Sequence, residues 1–396
     1  MFEKRLARIN GLAEMNMRIR PVFLQSPNSR LRNMLDPRIL LTDFCKIVRV
    51  VAELAPDAVV VFYLLQAYPA VLLKPLFRYS LYVVATGGDV NLHPAWVHRM
   101  LRRLVCWRSD LVFAVSDDLR HKIFEESGRR PVLFPTGIDT SFFRRLEPID
   151  ELRKKWNVDQ KDRVILTVSN LEKHKGVDVA IEALRLLGNS ATENTRLLVV
   201  GNGSERMALR KLVMDLGLGE SVHFLGEIPR ESLRELYSLA DVFVLSSHSE
   251  GLPFSVLEAM GCGTLCVCSR VGDIPSVIED RYNGFLATSV SPRDFAKKLR
   301  AALTMKDDEV LTMRNNARRT VMERYDLRKI AHSMIDVISL GDRCMMRNRF
   351  ADYPDNLEWG QIDAVSLCTV TRSKAHDMNI AKNAQLRNKL DSLEEE

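Results

Sequence analysis

The sequence predicts an α/β chain of two domains, each a parallel sheet flanked by helices. Three observations predict it. Strand-like and helix-like patterns alternate along most of the 396 residues, as in parallel α/β units. The length is enough for two hydrophobic cores. The alternation also stops at a charged stretch, 144–163, and then restarts. The expected division is an N-terminal domain over 1–149, a C-terminal domain over 150–340 and a polar extension over 341–396.

In the first half, 2–15 reads as a helix, 18–24 as a strand and 41–54 as a helix. The run 58–63 is apolar and rich in Val, hence a strand. A helix over 66–77 and a strand over 81–85 follow. The apolar stretch 59–85 is interrupted by Pro69, Lys74, Pro75 and Arg78, which makes it a poor membrane span. The 66–77 helix is expected to pack on the sheet. The alternative is contact with a membrane, with Lys74 and Arg78 at the headgroups. A helix at 96–104, a strand at 111–115, a helix at 117–126 and a short strand at 132–134 complete the half. That strand ends at Pro135-Thr136-Gly137-Ile138-Asp139.

The second half opens with strand 164–168, loop 169–176 and helix 177–187. Strand 197–200, the turn Gly201-Asn202-Gly203 and helix 205–216 come next, then strand 222–225 and helix 230–239. The segment 241–286 is the most informative: DVFVLSSHSEGLPFSVLEAMGCGTLCVCSRVGDIPSVIEDRYNGFL. An apolar strand at 242–245 runs into the polar loop 246–251. Pro253 suits a first helical residue, where its missing N–H costs nothing. The helix runs on to Ala259, and Gly261 and Gly263 can stop it. Such a unit aims backbone N–H groups and a positive helix end at one spot, which suits a phosphate. Glu250 and Glu258 frame the turn and suit sugar hydroxyls, so the implied ligand is a nucleotide-sugar.

Charge is uneven. Residues 1–149 hold 22 Lys and Arg against 14 Asp and Glu, so the whole-chain excess of +6 is concentrated there. A basic half points to an anionic neighbour: a membrane surface or an anionic lipid acceptor. A solvated face without a partner is the alternative, and no nucleic-acid module is readable. The seven Cys show no metal spacing. Cys262, Cys266 and Cys268 read as buried thiols. No disulfide framework and no signal peptide are readable, so a reducing cytoplasm is expected. A dinucleotide-dependent oxidoreductase is a poor reading, because 201–206 breaks the Gly-x-Gly-x-x-Gly pattern at Arg206.

The 241–286 string resembles the donor-binding signature of the GT-B glycosyltransferases, specifically the large retaining family 4 of the group 1 type. That pattern reads Glu and a Gly-rich turn, Glu-Ala, a small-residue strand, a Gly-Gly-like turn and Asn-Gly. Here the parts are Glu250-Gly251, Glu258-Ala259, 264–268, Gly272-Asp273 and Asn283-Gly284. The resemblance extends over 2–340 and is strongest over 164–300. It implies two Rossmann-like domains facing across a cleft, retention at the transferred carbon and no required metal or other cofactor.

The resemblance also implies roles. Lys175 neutralises the donor diphosphate and Glu250 contacts the donor sugar; these are the expected catalytic residues. Glu258 holds the ribose hydroxyls. Gly251 and the amides around Leu252, Pro253 and Phe254 support the sugar or phosphate. Gly201 and Gly203 line the nucleotide pocket, and Gly226 lies where the base-binding loop is expected. Asn170 stands where the family carries an Arg. On the acceptor side, Thr86, Gly87, Gly88 and Asp89 fall where the family has His-Gly-x-Asp, with Thr86 in place of the His. Ser116 and 135–139 match scaffold positions.

Two ends depart from the pattern. The family opens with a strand and a Gly-rich loop, whereas this chain opens with a helix, so the N-terminal domain is expected to lack its first strand. The run 364–370 reads as a strand without a partner, and 381–396 as a polar helix. The extension is expected to be partly disordered, or else the start of a truncated further domain, since 364–372 faintly resembles the opening of a family 2 glycosyltransferase.

The expected function is transfer of a sugar from a nucleotide-diphosphate-sugar to a saccharide or lipid-linked acceptor, in cell-surface polysaccharide or glycoconjugate synthesis. The expected location is cytoplasmic, with the basic half at the inner face of the membrane. The alternative is a catalytically silent GT-B subunit that binds a nucleotide-sugar and a partner protein. The missing strand, Asn170 and Thr86 favour that alternative.

Overall fold

The computed structural model describes residues 17–22, 37–86, 96–135, 137–188, 194–333 and 367–372. The chain divides into two compact units. One ends at Phe134 and takes in the strand Leu367–Arg372; the other runs from Pro135 to Met334.

The first unit contains β1 (Met17–Val22), α1 (Pro37–Leu54), β2 (Ala58–Phe62), α2 (Tyr68–Phe77), β3 (Ser80–Ala85), α3 (Trp96–Arg108), β4 (Leu111–Ala114), α4 (Asp117–Ser127) and β5 (Val132–Leu133). The sequence of β2, AVVVF, is buried throughout. A strand covered on both faces needs such a continuous apolar run. β2 to β5 pair in parallel. Ile47 and Val51, one turn apart on α1, pack into the same core as Val83 and Val112. Ser116 caps α4 by accepting the Leu119 N–H at 3.2 Å, and Gly128 ends that helix at φ 70°, a backbone turn that glycine makes without steric cost. The Arg102 side chain of α3 is buried and donates to both carboxylate oxygens of Glu126 on α4, at 2.8 and 2.7 Å. Burial of that charge is tolerated because it is paired.

Across this sheet the order is β1, Leu367–Arg372, β2, β3, β4, β5. The Leu367–Arg372 strand runs antiparallel to both neighbours, with Leu367 opposite Val22 on one side and Val61 on the other. The expectation of a tail strand without a partner is therefore corrected. Its backbone groups pair with strands from the other end of the chain, a long-range pairing that local sequence does not reveal. The helices expected at 2–15 and 381–396 lie outside the described residues, as does the rest of the extension.

The second unit contains α5 (Ile149–Lys155), β6 (Arg163–Val168), α6 (Val177–Leu186), β7 (Thr195–Val200), α7 (Arg206–Asp215), β8 (Val222–Gly226), α8 (Arg230–Leu239), β9 (Val242–Leu245), α9 (Phe254–Gly261), β10 (Leu265–Ser269), α10 (Ile274–Val277), β11 (Phe285–Ala287), α11 (Pro292–Leu303) and α12 (Asp307–Arg324). The sheet order is β11, β10, β9, β6, β7, β8, all parallel. One core holds Phe143, Tyr237, Phe243 and Met260; a second holds Ile181, Leu184, Phe295 and Leu299. The two cores use alternate residues of the same strands: Phe243 and Leu245 in the first, Val242 and Val244 in the second.

The unit boundary falls at 134/135, earlier than the charged stretch implied. Ile138 exchanges backbone hydrogen bonds with Tyr325 and Leu327 at 2.9 Å each. Phe143 is fully buried with its ring edge-on to Tyr237 at 6.2 Å. These contacts tie 135–149 to the second core.

Candidate functional site

In an open parallel sheet, ligands bind beyond the carboxyl ends of the strands, where the strand order reverses. In the second unit that reversal lies between β6 and β9. From β6 the chain goes out through β7 and β8, then returns to the other side of β6 as β9. The loops after these two strands carry Lys175 and Glu250. The structure brings them together: Lys175 Nζ donates to both carboxylate oxygens of Glu250, at 2.8 Å each. The Glu250 side chain is only 7% exposed and that of Lys175 18%. Ser247 Oγ donates a further bond to Glu250 Oε1 at 2.7 Å. A carboxylate this buried needs such partners.

Backbone contacts hold the loops in register. Ser246 Oγ donates to the Gly176 carbonyl at 2.6 Å, and the His248 N–H donates to the His174 carbonyl at 2.8 Å. Gly176 sits at φ 61°, and a Cβ there would overlap the Ser246 carbonyl oxygen. Glycine is thus required both by conformation and by close approach. The same holds at Gly272 after β10, at φ 54°, where a Cβ would overlap the Glu250 carbonyl oxygen. Asp273 N–H donates to the Gly251 carbonyl at 3.2 Å. On the β7 side, Leu171 N–H donates to the Asn202 carbonyl at 2.9 Å, and Gly203 lies against the Leu171 backbone. Four loops, after β6, β7, β9 and β10, therefore form one connected rim. Gly201, Gly203, Asn170, Gly251 and Leu252 all lie on it, with Asn170 and Gly251 exposed.

Glu258 lies within α9. Its carboxylate accepts a hydrogen bond from the Tyr237 hydroxyl of α8 at 3.1 Å. Tyr237 is fully buried, and its phenol is pushed well above its ordinary range by burial first and by the Glu258 charge second. It therefore stays a donor to Glu258. Helix α9 begins at Phe254, with Pro253 as the extended residue before it at φ −77°, ψ 132°. The helix thus starts one residue later than expected, and it extends past Ala259 to Gly261. Gly263, at φ 68°, makes the turn. Gly261 instead admits a close neighbour: a Cβ there would lie 2.7 Å from Ile138 Cδ1.

Ser247 and Tyr237 were not singled out from sequence. Ser247 carries no local signal. Tyr237 sits in an amphipathic helix pattern and reads as core, although a buried phenol requires a hydrogen-bond partner. Of the acceptor-side residues, Thr86 lies at the end of β3 in the first unit; Gly87, Gly88 and Asp89 lie outside the described residues. Cys262, Cys266 and Cys268 are fully buried. Burial raises all three thiols, that of Cys262 to about 12, so they are structural rather than reactive.

Residues 148–320 match the family model for glycosyl transferases group 1. These residues belong to that family. The group 1 domain thus includes β6 to β11 and every rim loop. Similar proteins include N-acetyl-alpha-D-glucosaminyl L-malate synthase of Bacillus anthracis, 29% identical over 63% of this chain and 62% of that protein. Another is the GDP-mannose-dependent alpha-(1-6)-phosphatidylinositol monomannoside mannosyltransferase of Mycolicibacterium smegmatis, 32% identical over 55% of this chain and 60% of that protein. The chain thus spans less than two thirds of the length of each.

Among solved structures, sucrose-phosphate synthase of Thermosynechococcus elongatus superimposes with a TM-score of 0.68 at 20% identity, over 79% of this chain and 80% of that one. Anabaena HepE in complex with UDP-glucose gives 0.65 at 21% identity, over 79% and 84%. The fold is GT-B, as expected from the sequence.

Proposed function

We propose that the chain is a retaining glycosyltransferase that moves a sugar from a nucleotide-diphosphate-sugar to a saccharide or lipid-linked acceptor. The observation that carries this reading is the Lys175–Glu250 pair at the point where the strand order of the group 1 domain reverses. A cation there offsets charge that builds on the leaving diphosphate, the electrostatic help this chemistry most needs. On this reading the donor phosphates sit at the N-terminus of α9 near Phe254. Lys175 turns from Glu250 to the diphosphate, which frees the Glu250 carboxylate for the sugar hydroxyls. Glu258, oriented by Tyr237, holds the ribose.

The transition state resembles an oxocarbenium ion. A donor phosphate oxygen takes the acceptor proton on the same face, so no side-chain base and no metal is assigned. The names of the relatives and the UDP-glucose held by HepE support a nucleotide-sugar donor. They also favour an active transferase over a silent subunit. Transfer is assigned to the cytoplasm, where the free thiols stay reduced. Among the described residues, no helix is long and apolar enough to cross a membrane.

The test is thermal stability of the full chain against UDP-, GDP- and ADP-sugars, then release of free nucleotide from any donor that stabilises it. Stabilisation with release, unchanged by EDTA, is expected. Stabilisation without release with any acceptor tried would favour the silent subunit. Release abolished by EDTA would overturn the metal-free assignment.

A further inference from the structure

Helix α3 presents an apolar stripe that its own sheet does not use. Trp96 is 67% exposed, Met100 60% and Trp107 72%; Val97 and Leu104 lie beside them and are exposed as well. At 3.6 residues per turn these five side chains fall within an arc of about 100°. The opposite face carries Val105 and Cys106 into the first core. Single exposed apolar side chains are ordinary, whereas a grouped set marks a contact surface. On α2, which meets α3 through a Lys74 Nζ bond to the Arg108 carbonyl at 3.0 Å, Leu72 and Leu76 are also exposed.

Charge decides what the stripe meets. The sequence of α3, WVHRMLRRLVCWR, contains four Arg and no Asp or Glu. Arg102 turns inward to Glu126. Arg99 and Arg103 are exposed along one edge of the stripe, and Arg108 along the other. An apolar strip with two indoles, edged on both sides by arginines, is the make-up of a helix that lies in a bilayer interface. An apolar protein partner would account for the stripe but not for its uniformly positive border. An anionic lipid surface accounts for both.

We infer that α3 docks the chain on an anionic lipid bilayer. The helix lies along the headgroup layer, with Trp96, Met100 and Trp107 inserted and Arg99 and Arg103 on lipid phosphates. The inference does not depend on the transferase reading, because every residue it uses lies in the first unit.

The experiment is co-sedimentation of the full chain with vesicles of phosphatidylcholine alone and of phosphatidylcholine mixed with phosphatidylglycerol. Binding is expected only to the mixed vesicles, and weaker at high salt. Two double variants, Trp96→Ser/Met100→Ser and Arg99→Gln/Arg103→Gln, alter exposed positions and should keep the parent melting temperature. Each is expected to weaken binding about tenfold or more. No binding to mixed vesicles overturns the inference, as does equal binding by the parent and both variants. A dimer in sedimentation velocity that both variants dissociate, without vesicle binding, also overturns it and assigns the stripe to a second copy of the chain. Donor stabilisation, read separately, reports on the transferase proposal alone.

Discussion

Lys175 Nζ stands 2.8 Å from each carboxylate oxygen of Glu250, and the pair joins two loops that diverge from adjacent strands. In this arrangement each charge shields the other, and on the proposed reading the donor separates them. Removing Lys175 leaves a carboxylate that is 7% exposed with Ser247 as a remaining donor. Removing the charge from Glu250 leaves a lysine that can turn to solvent. Lys175→Ala is therefore expected to lower the melting temperature more than Glu250→Gln does. Turnover with a working donor is expected to fall about 100-fold in Lys175→Ala. Turnover equal to the parent would remove Lys175 from the mechanism.

Tyr237 and Glu258 give a sharper contrast. The phenol donates to the carboxylate at 3.1 Å from a fully buried position. Tyr237→Phe keeps the ring packing against Phe143 and Phe243 and removes only that bond. The expected cost to stability is about 1 kcal/mol. The expected kinetic effect is a raised KM for the donor with kcat little changed, because Tyr237 acts through Glu258. A fall in kcat at constant KM would contradict that positioning role.

Two glycines, Gly128 at the end of α4 in the first unit and Gly176 on the rim, separate backbone strain from crowding. Gly128 and Gly176 both have positive φ, at 70° and 61°. A Cβ at Gly128 meets nothing within 4 Å, whereas one at Gly176 overlaps the Ser246 carbonyl. Gly128→Ala is expected to cost about 1–2 kcal/mol, the left-handed penalty alone. Gly176→Ala is expected to cost more than that and to shift the neighbouring Lys175. Urea denaturation of the two variants compares them directly; equal losses would mean that the loops do not pack as closely as described.

Thiol chemistry offers a pH test. The Cys262 thiol has its folded value raised to about 12, against 9.0 without burial. A raised folded value means that the protonated thiol is favoured by folding. Its contribution is complete below pH 9 and is lost as pH rises towards 12. Cys266 and Cys268 are raised for the same reason, burial. Stability is expected to fall above pH 9, more steeply than in a Cys262→Ala/Cys266→Ala/Cys268→Ala variant. At neutral pH an alkylating reagent is expected to modify the exposed Cys45 and to spare these three. Fast labelling of Cys266 in the native chain would contradict its burial.

How far these features were legible varies with their range along the chain. The strand–loop–helix units, the glycine turns and the Glu250–Glu258 spacing lie within short segments, and periodicity and turn chemistry report on such segments directly. The direct bond between Lys175 and Glu250 was not legible, because it depends on β6 and β9 lying side by side with β7, β8 and three helices between them in sequence. The run 364–370 reads as a strand, but the partners of the strand that forms, Leu367–Arg372, lie at the opposite end of the chain. The unit boundary was misplaced for a related reason. The charged stretch looks like a linker, but Ile138 and Phe143 before it are already anchored in the second core. Local pattern identifies elements, and long-range contact decides which unit owns them.

The most direct measurement is calorimetric titration of the full chain with whichever nucleotide-sugar stabilises it, repeated with Glu258→Ala. Saturable binding at one site is expected in the parent and none measurable in the variant, with the variant's unfolding still cooperative. Unchanged affinity in Glu258→Ala, or no binding by the parent to any UDP-, GDP- or ADP-sugar, would contradict a donor site built on Lys175, Glu250 and Glu258.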